Sequence, residues 1–264
     1  MSIRNTSRYP VRAARGFTLV ELMVTVAIAL FLLGGLVTIV QNVRTTYFNQ
    51  QGLATLQDEQ RFAMGIIADM VQQAGYFPNP VANTQDTALP ATGFYLQNGQ
   101  AFFGTHAAGV PDTFGVRFRL NQINGTVVDG ILCDGSTNWA NGPDWPYINT
   151  FSVVPPAGGA PGQLQCSVNG APARTIVDNV VDMQILYGVK RTASSDYNVD
   201  TYLTADQMVN NGSGGPNGGN DWMNISAVRV RLTFTNPMAG APGQPATVQF
   251  ERVIQVMGRA GVHT

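Results

Sequence analysis

Glu21 is the residue that asks most of its surroundings. It is the only charged side chain in residues 17–40, FTLVELMVTVAIALFLLGGLVTIV. A carboxylate inside so apolar a run costs on the order of 2.5–3.5 kcal/mol on membrane-insertion scales unless something pairs with it. Part of the answer is local. Thr18-Leu19-Val20-Glu21 has the spacing of a capping box, in which threonine and glutamate satisfy orphan amides at a helix start, and a negative charge in the first turn suits the helix dipole. That accounts for a helix beginning near Thr18, but not for the basic stretch and the Gly16-Phe17 junction just before it.

Other chemistry is thinly represented. The two histidines, His106 and His263, are too few and too far apart for a ligand cluster or a catalytic triad, so we expect no catalytic residue, no metal centre and no cofactor. DYNVD spaces Asp196, Asn198 and Asp200 like the start of a calcium loop, yet Thr201 stands where the turn glycine belongs and Gln207 where the bidentate glutamate belongs. GSGGPNGGND, residues 212–221, lacks the lysine of a phosphate-binding loop and reads as flexible loop. Trp139, Trp145 and Trp222 lie in loop-like stretches; packing is their commoner fate, a partner surface the alternative.

The element that must carry Glu21 is a long helix. Residues 17–40 would reach about 36 Å at 1.5 Å per residue, enough to cross a hydrocarbon core of roughly 30 Å. The run is too long and too uniformly apolar for an amphipathic core helix, and it lacks the short core and small-residue exit of a secretory signal. Arg4, Arg8, Arg12 and Arg15 precede it with no acid among them, which holds that end in the cytoplasm and sends residues 41–264 to the far side. Residues 17–264 are net acidic, which argues against a nucleic-acid surface. On the oxidising side of a membrane the two cysteines, Cys133 and Cys166, favour a disulfide. Two free buried thiols or an intermolecular bond are the alternatives.

Beyond Val40 the helical pattern continues through residues 41–75 without proline. Phe62, Ile66, Met70 and Ala74, with Ile67 and Val71, form the face expected to lie on a head domain. Gly75, with Pro78 and Pro80 behind it, is the expected stop. The remainder reads as strands. TFGVRFRL, residues 113–120, points Phe114, Val116, Phe118 and Leu120 inward and Arg117 and Arg119 outward. Asn124-Gly125 should turn that strand into residues 126–132, and Asn169-Gly170 should turn 162–168 into 171–177. Residues 180–189, 225–234 and 247–257 complete the set. One long helix against several antiparallel strands gives an α+β architecture.

The string Gly16-Phe17-Thr18-Leu19-Val20-Glu21-Leu22 behind a basic leader resembles the class III signal of type IV prepilins and type II secretion pseudopilins. Residues 61–77, 176–191, 226–234 and 250–259 are similar in wording and order to minor pilins of the PilW type, whereas 81–112 and 133–165 match nothing in that pattern. The resemblance implies a pilin-like fold. Residues 1–16 would be a leader cleaved by a prepilin peptidase between Gly16 and Phe17, and Phe17 would then be N-methylated. Residues 17–40 would be the membrane and assembly helix, 41–77 its periplasmic half, and 78–264 the β-rich head. Glu21 would be required for entry into the filament.

Physics supplies a reason for that requirement. A neighbouring subunit's new amine at Phe17 is a candidate partner for Glu21, and two unit charges ~4 Å apart at an effective dielectric of ~20 attract by about 4 kcal/mol. The implied protein is structural, not an enzyme: a minor pilin in the inner membrane with its head in the periplasm, later part of the extracellular pilus, at or near its tip. Its partners would be other minor pilins, the major pilin, the inner-membrane assembly platform and a tip adhesin. The alternatives are a minor pseudopilin of type II secretion and, from another class, an anchored periplasmic enzyme, for which no catalytic constellation stands in the sequence.

Overall fold

The computed structural model describes residues 16–123, 126–127, 130–137, 145–191, 198–209 and 220–257. The chain divides into two compact units, one ending at Gln51 and the other beginning at Gly52. A single helix, α1 (Leu19–Gln72), contributes to both. It runs uninterrupted through Gly34 and Gly35. At its start the backbone amide of Glu21 donates to Thr18 Oγ1 at 3.3 Å, so the threonine half of the expected cap is present. At its end Gly75 takes a left-handed φ of 77°, which glycine adopts without steric cost, and the helix gives way three residues before it.

The second unit is β-rich around the last turns of α1. A short helix, α2 (Gln85–Ala88), precedes a five-stranded antiparallel sheet of β1 (Phe102–Ala107), β2 (Val110–Phe118), β5 (Tyr147–Val154), β6 (Gln163–Val168) and β7 (Arg174–Asp178), in that spatial order. Between β2 and β5 lies a two-stranded ladder of β3 (Gln122–Ile123) and β4 (Thr126–Val127). The second main sheet holds β8 (Val180–Val189), β9 (Thr201–Leu203), β10 (Ile225–Thr235) and β11 (Thr247–Gln255), ordered β11-β10-β8-β9. Helix and antiparallel sheets together make an α+β, pilin-like arrangement, as the pattern of elements led us to expect.

One core serves the whole unit. Ala63, Ile67, Met70 and Val71 of α1, with Ala74 just beyond it, meet Phe102, Phe114, Val116, Phe118 and Phe151 of the first sheet and Val228, Val230, Leu232 and Phe234 of the second. Phe114 and Phe151, directly paired across β2 and β5, stack at 5.0 Å. Where β8 runs past β2, Asp112 accepts the Ile185 amide at 2.7 Å and pairs with His106 Nδ1 at 2.8 Å. Burial pushes the Asp112 carboxyl above its usual range, against the pull of those two partners.

Three details differ from the sequence reading. The apolar face of α1 is centred one residue further on: Phe62 is 56% exposed and Ile66 half-buried, while Ala63, Met64 and Ala68 are buried. Small side chains let the helix approach the sheets, and the bulky Phe62 is left at the margin. Strand 113–120 takes β1 and β5 as its ladder partners. The hairpin around Asn124-Gly125, which lie outside the described residues, is only the two-pair β3–β4 ladder. Finally, neither Arg117 of β2 nor Arg119 just beyond its end is exposed: Arg117 has no accessible surface and Arg119 only 7%. Residues 84–101 fold over Arg117. The second hairpin forms as expected, with Asn169 and Gly170 at φ 48° and 76° between β6 and β7.

The closeness of β6 to β8 gives a first prediction. A Cβ placed on Gly162 would stand 2.1 Å from the carbonyl oxygen of Val180, a backbone atom with nowhere to go. Gly162→Ala should therefore destabilise the folded chain by about 2–3 kcal/mol. Chemical denaturation measures this, and an unchanged midpoint would refute the close approach.

Candidate assembly site

In the first unit the N-terminal part of α1 is apolar on every side. Its most hydrophobic 18-residue window has a mean hydropathy of 2.6 and none of it is buried. Phe17, Leu19, Phe31 and Leu32 are all more than half exposed. The few polar side chains are dealt with internally: Thr25 Oγ1 donates to the Leu22 carbonyl at 2.9 Å and Thr38 Oγ1 to the Gly34 carbonyl at 3.0 Å. Such back-bonding leaves nothing unsatisfied in hydrocarbon. Glu21 is the exception. Its amide is capped, but its carboxylate has no hydrogen-bond or ion-pair partner among the described residues, and it stands one turn from Phe17 and Gly16, where the described chain begins.

The remaining sequence candidates are scattered. Cys133, in the segment after β4, and Cys166 on β6 are joined in a disulfide with their Cα atoms 6.2 Å apart, both buried. The Cys133 amide donates to Asn149 Oδ1 at 2.9 Å, so the bridge ties the segment to β5 as well as β6. Asp196 and Trp139 lie outside the described residues. Asp200 accepts the Arg191 amide at 3.0 Å, and no cluster suited to a metal occurs among the described residues. Of the stretch expected to be flexible loop, residues 212–219 lie outside the described residues, but its last member, Asp221, is a buried anchor. It accepts the Arg191 Nε at 3.1 Å and the Val209 amide at 2.8 Å. The hydrogen bond to Asp221 raises the Arg191 guanidinium above its ordinary value. Trp145 is 55% exposed, whereas Trp222 packs edge-on against Tyr187 at 5.0 Å.

Arg117 is what the sequence reading missed. Its guanidinium donates to four backbone carbonyls of one segment, those of Leu89, Pro90, Gln97 and Gln100, and lies 4.3 Å from the centre of the Tyr95 ring. Burial lowers it to about 10. Alternation could place Arg117 on an outward face. It could not show that a stretch rich in glycine and amides would cover it.

An apolar helix with one acid near its start, whose carboxylate has no partner among the described residues, and a β-rich unit of antiparallel sheets make up the pilin-like arrangement. Comparison with known families agrees at both ends of the chain. Residues 11–37 match the prokaryotic N-terminal methylation motif. Residues 153–254, from the end of β5 to the end of β11, match the type IV pilus-assembly protein W family, PilW. The two matches support a type IV pilin family, of the PilW type. No curated protein and no solved structure matches the chain. Together the two family matches support a minor pilin in pilus assembly. The motif and the apolar helix fit inner-membrane anchoring, and the family implies contact with other pilins and with the membrane assembly machinery.

Proposed function

We propose that this chain is a minor pilin that primes type IV pilus assembly and is carried at or near the pilus tip. It is cut between Gly16 and Phe17, methylated on Phe17, and held in the inner membrane by residues 17–40 with its head in the periplasm before it enters the fibre. Glu21 then pairs with the Phe17 amine of an adjacent subunit. The observation that carries this reading is the contrast within one helix: Thr25 and Thr38 are satisfied by their own backbone, whereas the Glu21 carboxylate has no partner among the described residues. An unpaired acid in an apolar zone is costly, so its retention speaks for a partner supplied by another molecule. The PilW match over 153–254 favours the pilus over a secretion pseudopilus.

Mass spectrometry of the mature chain should begin at methylated Phe17 in cells with an active prepilin peptidase. Glu21→Ala should insert and be processed normally but reach the sheared pilus fraction at a level lower by at least tenfold, consistent with losing an attraction of about 4 kcal/mol. A chain still beginning at Met1, or an alanine variant recovered in pili like its parent, would refute the reading.

A further inference from the structure

Both main sheets end in edge strands, and three of those four edges are blunted. The β1 edge is broken by a register shift between Thr105 and Ala107. β7 is five residues long, and its ladder shifts at Leu164–Gln165. β9 is three residues long. Short strands and bulges are the usual protection of an edge against other strands. β11 has neither. It pairs with β10 through nine consecutive residue pairs, from Ala227↔Gln255 to Thr235↔Thr247, with no shift, and it contains no proline.

The direction of its backbone groups follows from two bonds at its ends. The Val256 amide donates to Ser226 O, and the Ala246 carbonyl accepts from the Asn236 amide, both at 2.9 Å. Even-numbered residues therefore turn their backbone toward β10. In an unshifted antiparallel ladder the odd-numbered residues turn theirs away. Thr247, Gln249, Glu251, Val253 and Gln255 thus present their N–H and C=O groups at the open edge, and no described residue bonds them. Its side chains defend the edge only in part, with Arg252 the one charge of the strand outside an ion pair among the described residues. The one acid, Glu251, is neutralised by Arg231 at 2.7 Å. Val248 and Phe250 are only half-buried against the core, and Val253 is 51% exposed.

We infer that β11 is the docking edge for an extended strand of a neighbouring pilin, which would continue the second sheet by main-chain hydrogen bonds. This rests on the pilin reading above. A row of outward amides and carbonyls is complementary to another strand and to little else. The apolar side chains beside it call for a partner strand that alternates, with apolar residues on the face that carries Val248 and Phe250 and polar ones opposite Gln249 and Glu251. The added strand would bury what β11 leaves half-open.

Proline tests this, because at an outward position it removes an edge donor without touching the β10–β11 ladder. Full-length chains bearing Val253→Pro or Gln249→Pro should be processed at Gly16–Phe17 and should unfold thermally like the parent. Each should nonetheless be recovered in the sheared pilus fraction at a level at least tenfold lower. Val253→Thr, which keeps the N–H, should assemble normally. Parent-like assembly of both proline variants overturns the proposal, and so does failure of Val253→Thr, which would point to the side chain instead of the backbone. A lowered Tm in both isolated proline variants also overturns it, since those amides would then already be bonded within the chain. If the proline variants assemble while Glu21→Ala does not, the edge is wrong and the pilin reading stands; absence of cleavage at Gly16 removes the pilin reading itself.

Discussion

Replacing Arg117 by alanine should destabilise the head by about 3–5 kcal/mol, the largest loss expected of any single side chain away from the membrane segment. The guanidinium holds the carbonyls of Leu89, Pro90, Gln97 and Gln100. Stranding a buried acceptor costs about 1–3 kcal/mol. The sum is smaller than four such terms because Leu89 O also accepts the Gly99 amide at 2.7 Å and Pro90 is exposed enough to be hydrated. Burying the cation is itself unfavourable, as the fall to about 10 records, and its removal recovers some of that. The loss should be local as well as global, with amide exchange accelerating through residues 84–101 before the rest of the unit. Arg117→Lys should rescue little, since an ammonium is a point donor and cannot span four carbonyls. A midpoint within 1 kcal/mol of the parent, or unchanged exchange in 84–101, would show that the arginine is a passenger.

The second large effect is expected from Cys133→Ser with Cys166→Ser. The bridge closes a separation of 33 residues, for which the chain-entropy model gives about 3–4 kcal/mol. Both half-cystines are buried and Asn149 is oriented by the Cys133 amide, so the serines would add unsatisfied hydroxyls in an apolar setting. The double variant and the reduced parent should therefore unfold at similar, lower denaturant concentrations, and the oxidised parent well above both. Non-reducing peptide mapping should recover one linked pair. Coincident unfolding of oxidised and reduced parent would contradict the assignment of stabilising force to this bridge.

The N-terminal helix was the most legible element, because a long uninterrupted apolar run has few alternative fates. Strands β8 and β10, and most of β11, were legible for a similar reason: their alternation is long, and Val228, Val230, Leu232 and Phe234 all end fully buried. What stayed hidden depended on distant partners. β1 and β5 are short apolar stretches set among glycine, proline and asparagine, where flanking residues hide the strand and pairing with β2 decides. Arg117 and Asp221 were misjudged because the sequence gives a charge and its face, while burial depends on which remote segment comes to cover it. The helix face was placed one residue off because Phe62 outweighs Ala63 in any hydropathy pattern, although close packing prefers the smaller side chain. Glu21 was legible as an anomaly, but no single chain can display the companion it needs.

The clasp at Arg117 grips main-chain oxygens, which every amino acid supplies. Between Ala91 and Leu96 the grip uses one side chain, the buried Tyr95 whose ring lies beneath the guanidinium, while its neighbours Phe94 and Leu96 stand 72% and 64% exposed. Leu96 and the outer face of Phe94 are therefore display positions whose wording can drift under selection for new contacts, so long as Tyr95 keeps the mounting in place.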